Sequence, residues 1–172
     1  MKVYRMKDGA SLPAYATQGS AAFDLTACVE HGQRITAYNS WNKKVEIAVK
    51  GVGTARNAFQ LPPGMRALVP TGLIFDIPDG HVMKMFIRSG TALKRGLTLT
   101  NSVGIIDSDY TDEVFMMLSN ITDSLAVIEH GDRLVQCMIE KTLRSQPKLK
   151  IVETEEKPEK KLDRDGGFGS TG

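Results

Sequence analysis

Cysteine and histidine are scarce in this chain of 172 residues, with two of the first and three of the second. Cys28 and Cys137 stand far apart, each among apolar neighbours, so they read as buried reduced thiols rather than a disulfide or half of a metal site. His31, His81 and His130 sit at turn-like segments with no ligand spacing between them, which argues against zinc and against a histidine-based active site. Long apolar runs are missing too. No stretch approaches the ~20 residues needed to span a bilayer, and the N-terminal residues lack the apolar core of a secretory signal. A cytoplasmic protein with no membrane partner is expected. Charge of one sign is also lacking: a net charge of +2 without a basic stripe argues against nucleic acid as a partner. Neither Gly-x-x-x-x-Gly-Lys-Ser/Thr nor Gly-x-Gly-x-x-Gly after a strand occurs, which excludes the Walker and dinucleotide modes of phosphate binding. Helical periodicity is nearly absent apart from a short turn near 91–95, and there is no solenoid repeat.

Short strands are what the sequence does contain. The segments 66–70, 72–77, 82–87, 113–119, 134–141 and 148–153 are rich in β-branched, aromatic or Met residues. Turn signals punctuate them: Leu61-Pro62-Pro63-Gly64, Pro78-Asp79-Gly80 and His130-Gly131-Asp132. The pattern predicts an all-β barrel or sandwich spanning 1–152 as one domain, followed by a charged arm over 153–172. The stretch 38–59 alternates weakly, holds the only tryptophan, Trp41, and reads as a surface hairpin.

Polar groups interrupt the β pattern at a few places. Arg88-Ser89-Gly90 ends an apolar run with a guanidinium, a hydroxyl and a glycine, a set suited to an anion; the plainer reading is a strand-end arginine in a surface ion pair. In Asn101-Ser102-Val103-Gly104-Ile105-Ile106-Asp107-Ser108-Asp109-Tyr110, Asp107 ends an apolar run where a carboxylate can orient a water and accept its proton, although Asp-Ser-Asp is also ordinary turn chemistry. Asp24 is likewise planted between apolar neighbours, as a site carboxylate or as a strand-end group bonded to backbone. Alternation places the Gln136 amide on the face of Leu134 and Met138, buried and in need of partners. Arg133, beside Asp132, reads as structural, an interior ion pair or turn anchor. The chain ends Gly166-Gly167-Phe168-Gly169-Ser170-Thr171-Gly172, too poor in apolar side chains to pack on its own. Its glycines let backbone N–H groups approach a ligand, its hydroxyls add donors, and Phe168 offers one flat face.

Taken in order, Gly19 to Leu25, Arg88-Ser89-Gly90, Asn101 to Tyr110, Gly131 to Gln136 and the glycine-rich tail resemble the five motifs of the homotrimeric deoxyuridine triphosphatases (dUTPases). The likeness runs from about Leu12 to Gly172. It implies a jelly-roll-like β fold (the dUTPase-like, or β-clip, fold), three subunits about a threefold axis, and sites at their interfaces, each closed by a neighbouring chain's C-terminal arm. The implied reaction is hydrolysis of dUTP to dUMP and pyrophosphate by in-line attack of water on the α-phosphorus, which lowers dUTP and supplies dUMP for dTMP synthesis. By the same resemblance Asn101, the backbone of Gly104, Ile105 and Ile106, and Phe115 read the uracil edge, and Tyr110 packs on the deoxyribose. Arg88, Ser89, Gly90 and Gln136 hold phosphates. Asp24 supports Mg²⁺ through water, and Asp107 activates the attacking water. Phe168 covers the base while Gly169, Ser170 and Thr171 cap the terminal phosphate.

The chain departs from the family pattern in three places. Arg164 lies one residue nearer to Phe168 than the fifth motif usually has it, although it remains the candidate γ-phosphate ligand. Thr111-Asp112 replaces the common Arg/Gln-Gly pair after Tyr110, and 38–59 looks inserted relative to compact members. Two other readings stand beside the hydrolase: a dCTP deaminase of the same fold, which usually carries Arg-Ser-Ser and lacks the arm, and a nucleotide-switched regulatory binding protein that uses 38–59 as its contact surface.

Overall fold

Residues 1–143 and Glu153 are described by the computed structural model. Among them run β1 (Lys2–Arg5), β2 (Phe23–Thr26), β3 (Arg34–Tyr38), β4 (Lys44–Ala48), β5 (Lys50–Val52), β6 (Ala55–Leu61), β7 (Arg66–Pro70), β8 (Leu73–Asp76), β9 (His81–Ile87), α1 (Ser89–Arg95), β10 (Leu97–Leu99), β11 (Gly104–Ile106), β12 (Phe115–Asn120), β13 (Ala126–Glu129) and β14 (Arg133–Lys141). Period-two alternation builds the sheets: in β12, Met116, Leu118 and Asn120 face in while Phe115 and Met117 face out. All strand pairs are antiparallel, in the orders β10-β12-β7-β3-β4, β11-β9-β14-β2, β13-β6-β5 and β1-β8. The expected jelly-roll-like β class holds.

Inner faces of all four sheets meet in one core. Leu97, Met116, Val69 and Ile35 from the five-stranded sheet lie with Leu25, Met85, Val135 and Cys137 from the four-stranded one, and with Phe59, Ile128 and Phe75. Phe75 stacks on Phe23 at 6.2 Å, and Tyr15 meets Phe23 edge-on at 5.7 Å. Truncating a ring as buried as Phe59 or Phe75 costs about 3–5 kcal/mol. Buried Asn120 bridges several elements: its Nδ2 donates to the carbonyls of Leu61 and Ser124 while Oδ1 accepts from Thr122. Helix α1 stops where its geometry requires glycine. Gly96 has φ +57°, its N–H returns to Thr91 and Ala92, and a Cβ there would sit 2.0 Å from Cγ2 of Thr122.

Two expectations change. The 38–59 stretch is not one surface hairpin. It supplies β4, β5 and most of β6, where Val49, Ala58 and Phe59 are core residues and β6 pairs with β13. The rest of the stretch is exposed or half-buried, most of all Trp41, 80% exposed in a turn where Asn39 Oδ1 accepts the N–H groups of Trp41 and Lys43. In β14 a bulge between Arg133 and Val135 breaks simple alternation. Leu134 and Val135 are both buried, and Gln136 emerges half-buried on the outer face, beside Asp24 and Phe86. The predicted strand at 148–153 lies outside the described residues except for Glu153, which is not in a strand.

Candidate active site

One end of the candidate site is an apolar cavity of about 360 Å³ between β9, β11, β12 and the loop after β11. Its lining includes Asn101, Gly104, Ile105, Ile106, Asp107, Tyr110 and Phe115, so the described residues expected to touch base, sugar or attacking water are gathered in one place. Gly104 is required by proximity: a Cβ there would meet Cβ of Met85 at 3.0 Å, because β11 is drawn tight against β9. Before it, the turn at Asn101 and Ser102 is closed by the Val103 N–H donating to the Asn101 carbonyl at 2.6 Å, with Ser102 at φ +62°. The side chains of Asn101 and Asp107 pair with no other described residue, so an amide edge and a carboxylate are both available to a ligand.

Tyr110 is held rather than free. Its hydroxyl donates to the Glu113 carbonyl at 2.8 Å, and the Glu113 carboxylate accepts the Gly72 N–H at 2.7 Å. Thr71 Oγ1 donates to the Val114 carbonyl at 2.6 Å, tying the same loop to the turn between β7 and β8 a second time. Burial, then the carboxylates of Asp112 and Glu113, push the Tyr110 phenol above its ordinary pKa, so it stays protonated. The acidic Thr111-Asp112 departure thus lies beside the ring. Leu68, Met85, Val114 and Met117 also line the cavity and were missed from sequence, although the outward alternation of Phe115 and Met117 on β12 carried the signal.

At the other end a polar cavity of about 340 Å³ is lined by Ser20, Ala22, Asp24, Arg88, Ser89, Arg133 and Gln136, among others. Gly90 is the next residue of α1 and is not part of that lining. Arg88 Nε lies 3.0 Å from Asp24 Oδ1, and Arg133 Nη1 lies 3.5 Å from Asp24 Oδ2. Arg88 is thus in an ion pair and also lines the polar cavity. Asp24 sits within β2 and pairs with guanidiniums rather than with backbone. Arg133 is not an interior partner of Asp132: it is exposed at the pocket rim, and Asp132 pairs instead with Arg95 at 2.9 Å. The Gln136 amide bonds to no other described residue, so it too is left for a ligand. Among the described residues no cluster of three or more His, Cys, Asp or Glu could cage a metal ion. One carboxylate fits Mg²⁺ only in the manner of an ion that keeps its waters and is brought in with substrate phosphates.

The two cavities share no residue, and the sheet register measures their separation. Asp24 is opposite Gln136, which is opposite Phe86 on its other side, while Ile106, just before Asp107, is opposite Met83. About four residues along the strands at ~3.4 Å and three strands across at ~4.8 Å put Asp107 roughly 20 Å from Asp24 in one chain. Arg164, Phe168, Gly169, Ser170 and Thr171 lie outside the described residues.

A slot for a flat ring in one place and a cationic, amide-bearing pocket in another make this a β-rich protein fitted to nucleotides. Comparison with known proteins narrows the class. Residues 54–172 match the model of the dUTPase family. The deoxyuridine 5'-triphosphate nucleotidohydrolase of Rhizobium etli is 38% identical over 96% of this chain and 87% of its own length, and that of Brucella melitensis biotype 2 is 39% identical over 95% and 86%. Among solved structures, the dUTPase of Streptococcus mutans superposes with a TM-score of 0.63 at 27% identity, covering 83% of this chain and 97% of its own. A mutant of the Staphylococcus bacteriophage 80alpha dUTPase reaches a TM-score of 0.68 at 21% identity over 99% and 97%, a likeness of fold. The chain belongs to the dUTPase family.

Proposed function

We propose that this protein hydrolyses dUTP to dUMP and pyrophosphate, acting as a dUTP diphosphatase, with Asp107 as the general base. The observation that carries the assignment of the base is the unpaired Asp107 carboxylate at the rim of a ring-sized apolar cavity, in a chain that matches deoxyuridine triphosphate nucleotidohydrolases over nearly its whole length. Asn101 and the backbone of Gly104 to Ile106 read the uracil edge, Phe115 walls the slot, and Tyr110 packs against the deoxyribose where a 2′-hydroxyl would stand. Asp107 takes a proton from water as its oxygen bonds to the α-phosphorus. The bond from that phosphorus to the α,β-bridging oxygen breaks, and pyrophosphate leaves with the electron pair. Arg88, Ser89, Gly90 and Gln136 hold the phosphates, and Asp24 would hold Mg²⁺ through a water. When bound, Mg²⁺ neutralises charge on the phosphate oxygens.

A separation of roughly 20 Å between Asp107 and Asp24 supports a site shared between copies, since both groups must serve the same α-phosphate. In the homotrimer one chain supplies the Asp107 end and a neighbour supplies the Arg88 end. The arm, with Arg164 on the γ-phosphate, Phe168 over the base, and Gly169, Ser170 and Thr171 at the terminal phosphate, comes from a neighbouring chain as well. The test is Mg²⁺-dependent pyrophosphate release from dUTP, dCTP, dTTP and UTP, on the full chain, on a chain truncated before Gly166, and on Asp107→Asn. Release from dUTP alone, abolished by truncation and reduced at least ~10²-fold by Asp107→Asn, is expected. Near-normal turnover in Asp107→Asn overturns the assignment of the base, and ammonia released from dCTP overturns the reaction.

A further inference from the structure

The pocket around Asp24 holds one cation more than the phosphate-binding set above requires. Arg133 is 61% exposed in its side chain, lines that pocket, and points its Nη1 at Asp24 Oδ2 from 3.5 Å. Arg88 approaches the other oxygen, Nε to Oδ1 at 3.0 Å, and also donates from Nη1 to the Arg133 carbonyl at 3.0 Å. One carboxylate thus bridges two guanidiniums with its two oxygens, as a phosphate group would. The β-bulge between Arg133 and Val135 is the local cause, since it turns the start of β14 outward beside β2. A pair at 3.5 Å with an exposed partner is weak, and an arriving anion can exchange it. Each guanidinium carries five donors, most of them left unspent by Asp24, and two cations against one carboxylate leave the pocket one net positive charge.

We propose that Arg133 is a further polyphosphate-binding residue, forming with Arg88 a two-guanidinium clamp, and that Asp24 is the internal anion that keeps the clamp in shape while the site is empty. The inference rests on the proposed function, because it places substrate phosphates in this pocket. It predicts effects of opposite sign. Losing Arg133 removes an attractive charge from the pocket, whereas neutralising Asp24 removes the anion that competes for both guanidiniums.

The experiment is calorimetric titration of the full-length protein with inorganic tripolyphosphate in metal-free buffer, using wild type, Arg133→Gln, Arg133→Lys and Asp24→Asn, together with melting temperatures. Arg133→Gln weakens binding about tenfold, the scale of one charge-assisted hydrogen-bonding group. Arg133→Lys recovers part of the loss, keeping the charge without the fork. Asp24→Asn binds tripolyphosphate severalfold more tightly than wild type. With Mg²⁺ and dUTP, Arg133→Gln raises KM while kcat changes little. Three results would overturn the clamp: no tripolyphosphate binding by wild type, wild-type affinity in Arg133→Gln, or parallel loss of affinity and melting temperature in Arg133→Gln and Asp24→Asn, which assigns Arg133 to propping Asp24. Arg133-dependent tripolyphosphate binding in a protein that does not hydrolyse dUTP would leave the clamp standing and remove the hydrolase reading alone.

Discussion

Replacing Glu113 by alanine tests how the site loop is held. The Glu113 carboxylate is the acceptor for the N–H of Gly72, a buried residue at φ +70° whose surroundings are already full: a Cβ there would lie 2.7 Å from that of Ala10 and 3.0 Å from Sγ of Cys28. With so little space around it, the orphaned N–H has no ready route to water, and an unsatisfied buried donor costs about 1–3 kcal/mol. Taking ~2 kcal/mol, at 2–4 °C per kcal/mol for a chain of this size, Glu113→Ala lowers the melting temperature by about 4–8 °C. Glu113→Gln keeps a neutral acceptor and loses less than half of that. The same change loosens the loop whose backbone at 113 receives the Tyr110 hydroxyl. Because Tyr110 is the proposed barrier to a 2′-hydroxyl, the preference for dUTP over UTP in kcat/KM falls about three- to tenfold. Scanning calorimetry at one fixed protein concentration, with kcat/KM for both nucleotides, measures the two effects. An alanine variant with wild-type melting temperature and undiminished sugar preference would refute the idea that Glu113 positions the loop.

Other changes probe different parts of the same molecule. Gly104→Ala puts a methyl 3.0 Å from Cβ of Met85, which cannot swing aside, so about 1–3 kcal/mol of stability is lost and KM for dUTP rises. Since Met85→Ala keeps the offending Cβ, the double variant recovers nothing in denaturant titrations; full recovery there would disprove the contact. The Cys137 thiol is pushed up to about 12 by burial, then by Asp24. Below the ordinary thiol value near 9 its neutral form is shared by folded and unfolded chains. Above it the unfolded chain loses the proton first, so stability falls by about 1.4 kcal/mol per pH unit between about 9 and 12. Cys137→Val lacks that contribution, and parallel stability curves of the two proteins over this range would contradict it.

Local chemistry explains what was legible in the sequence. Outward Phe115 and Met117 alternate with inward Met116 and Leu118, so β12 and its face could be read, and the apolar run before Asp107 placed that carboxylate at a strand end. The bulge in β14 could not be read. One extra residue at 134 shifts the alternation, so Leu134 and Val135 both face in and Gln136, expected inside, is half-open. The 38–59 stretch misled for a related reason: its weak alternation belongs to β4, at the edge of the five-stranded sheet, and the burial of Phe59 depends on pairing with β13, nearly 70 residues later. Long-range pairing leaves little trace in a local pattern.

Charge divides the two ends of the site in a way that gives the nucleotide one orientation. Asp107, Asp109, Asp112 and Glu113 cluster along the loop at the apolar cavity, whereas Arg88 and Arg133 outnumber Asp24 in the polar one. A triphosphate presented to the first cavity meets like charge, and a base presented to the second finds no ring-sized apolar wall. On the proposed function, the uracil enters the acidic end and the phosphate chain is driven from that chain's own loop toward the guanidiniums of a second copy. Asp112 adds to that repulsion rather than standing idle. Asp112→Gly then allows nonproductive binding with the phosphates reversed, seen as a lower kcat and a lower KM together. It does so more strongly at low salt, where exposed charges act over a longer Debye length.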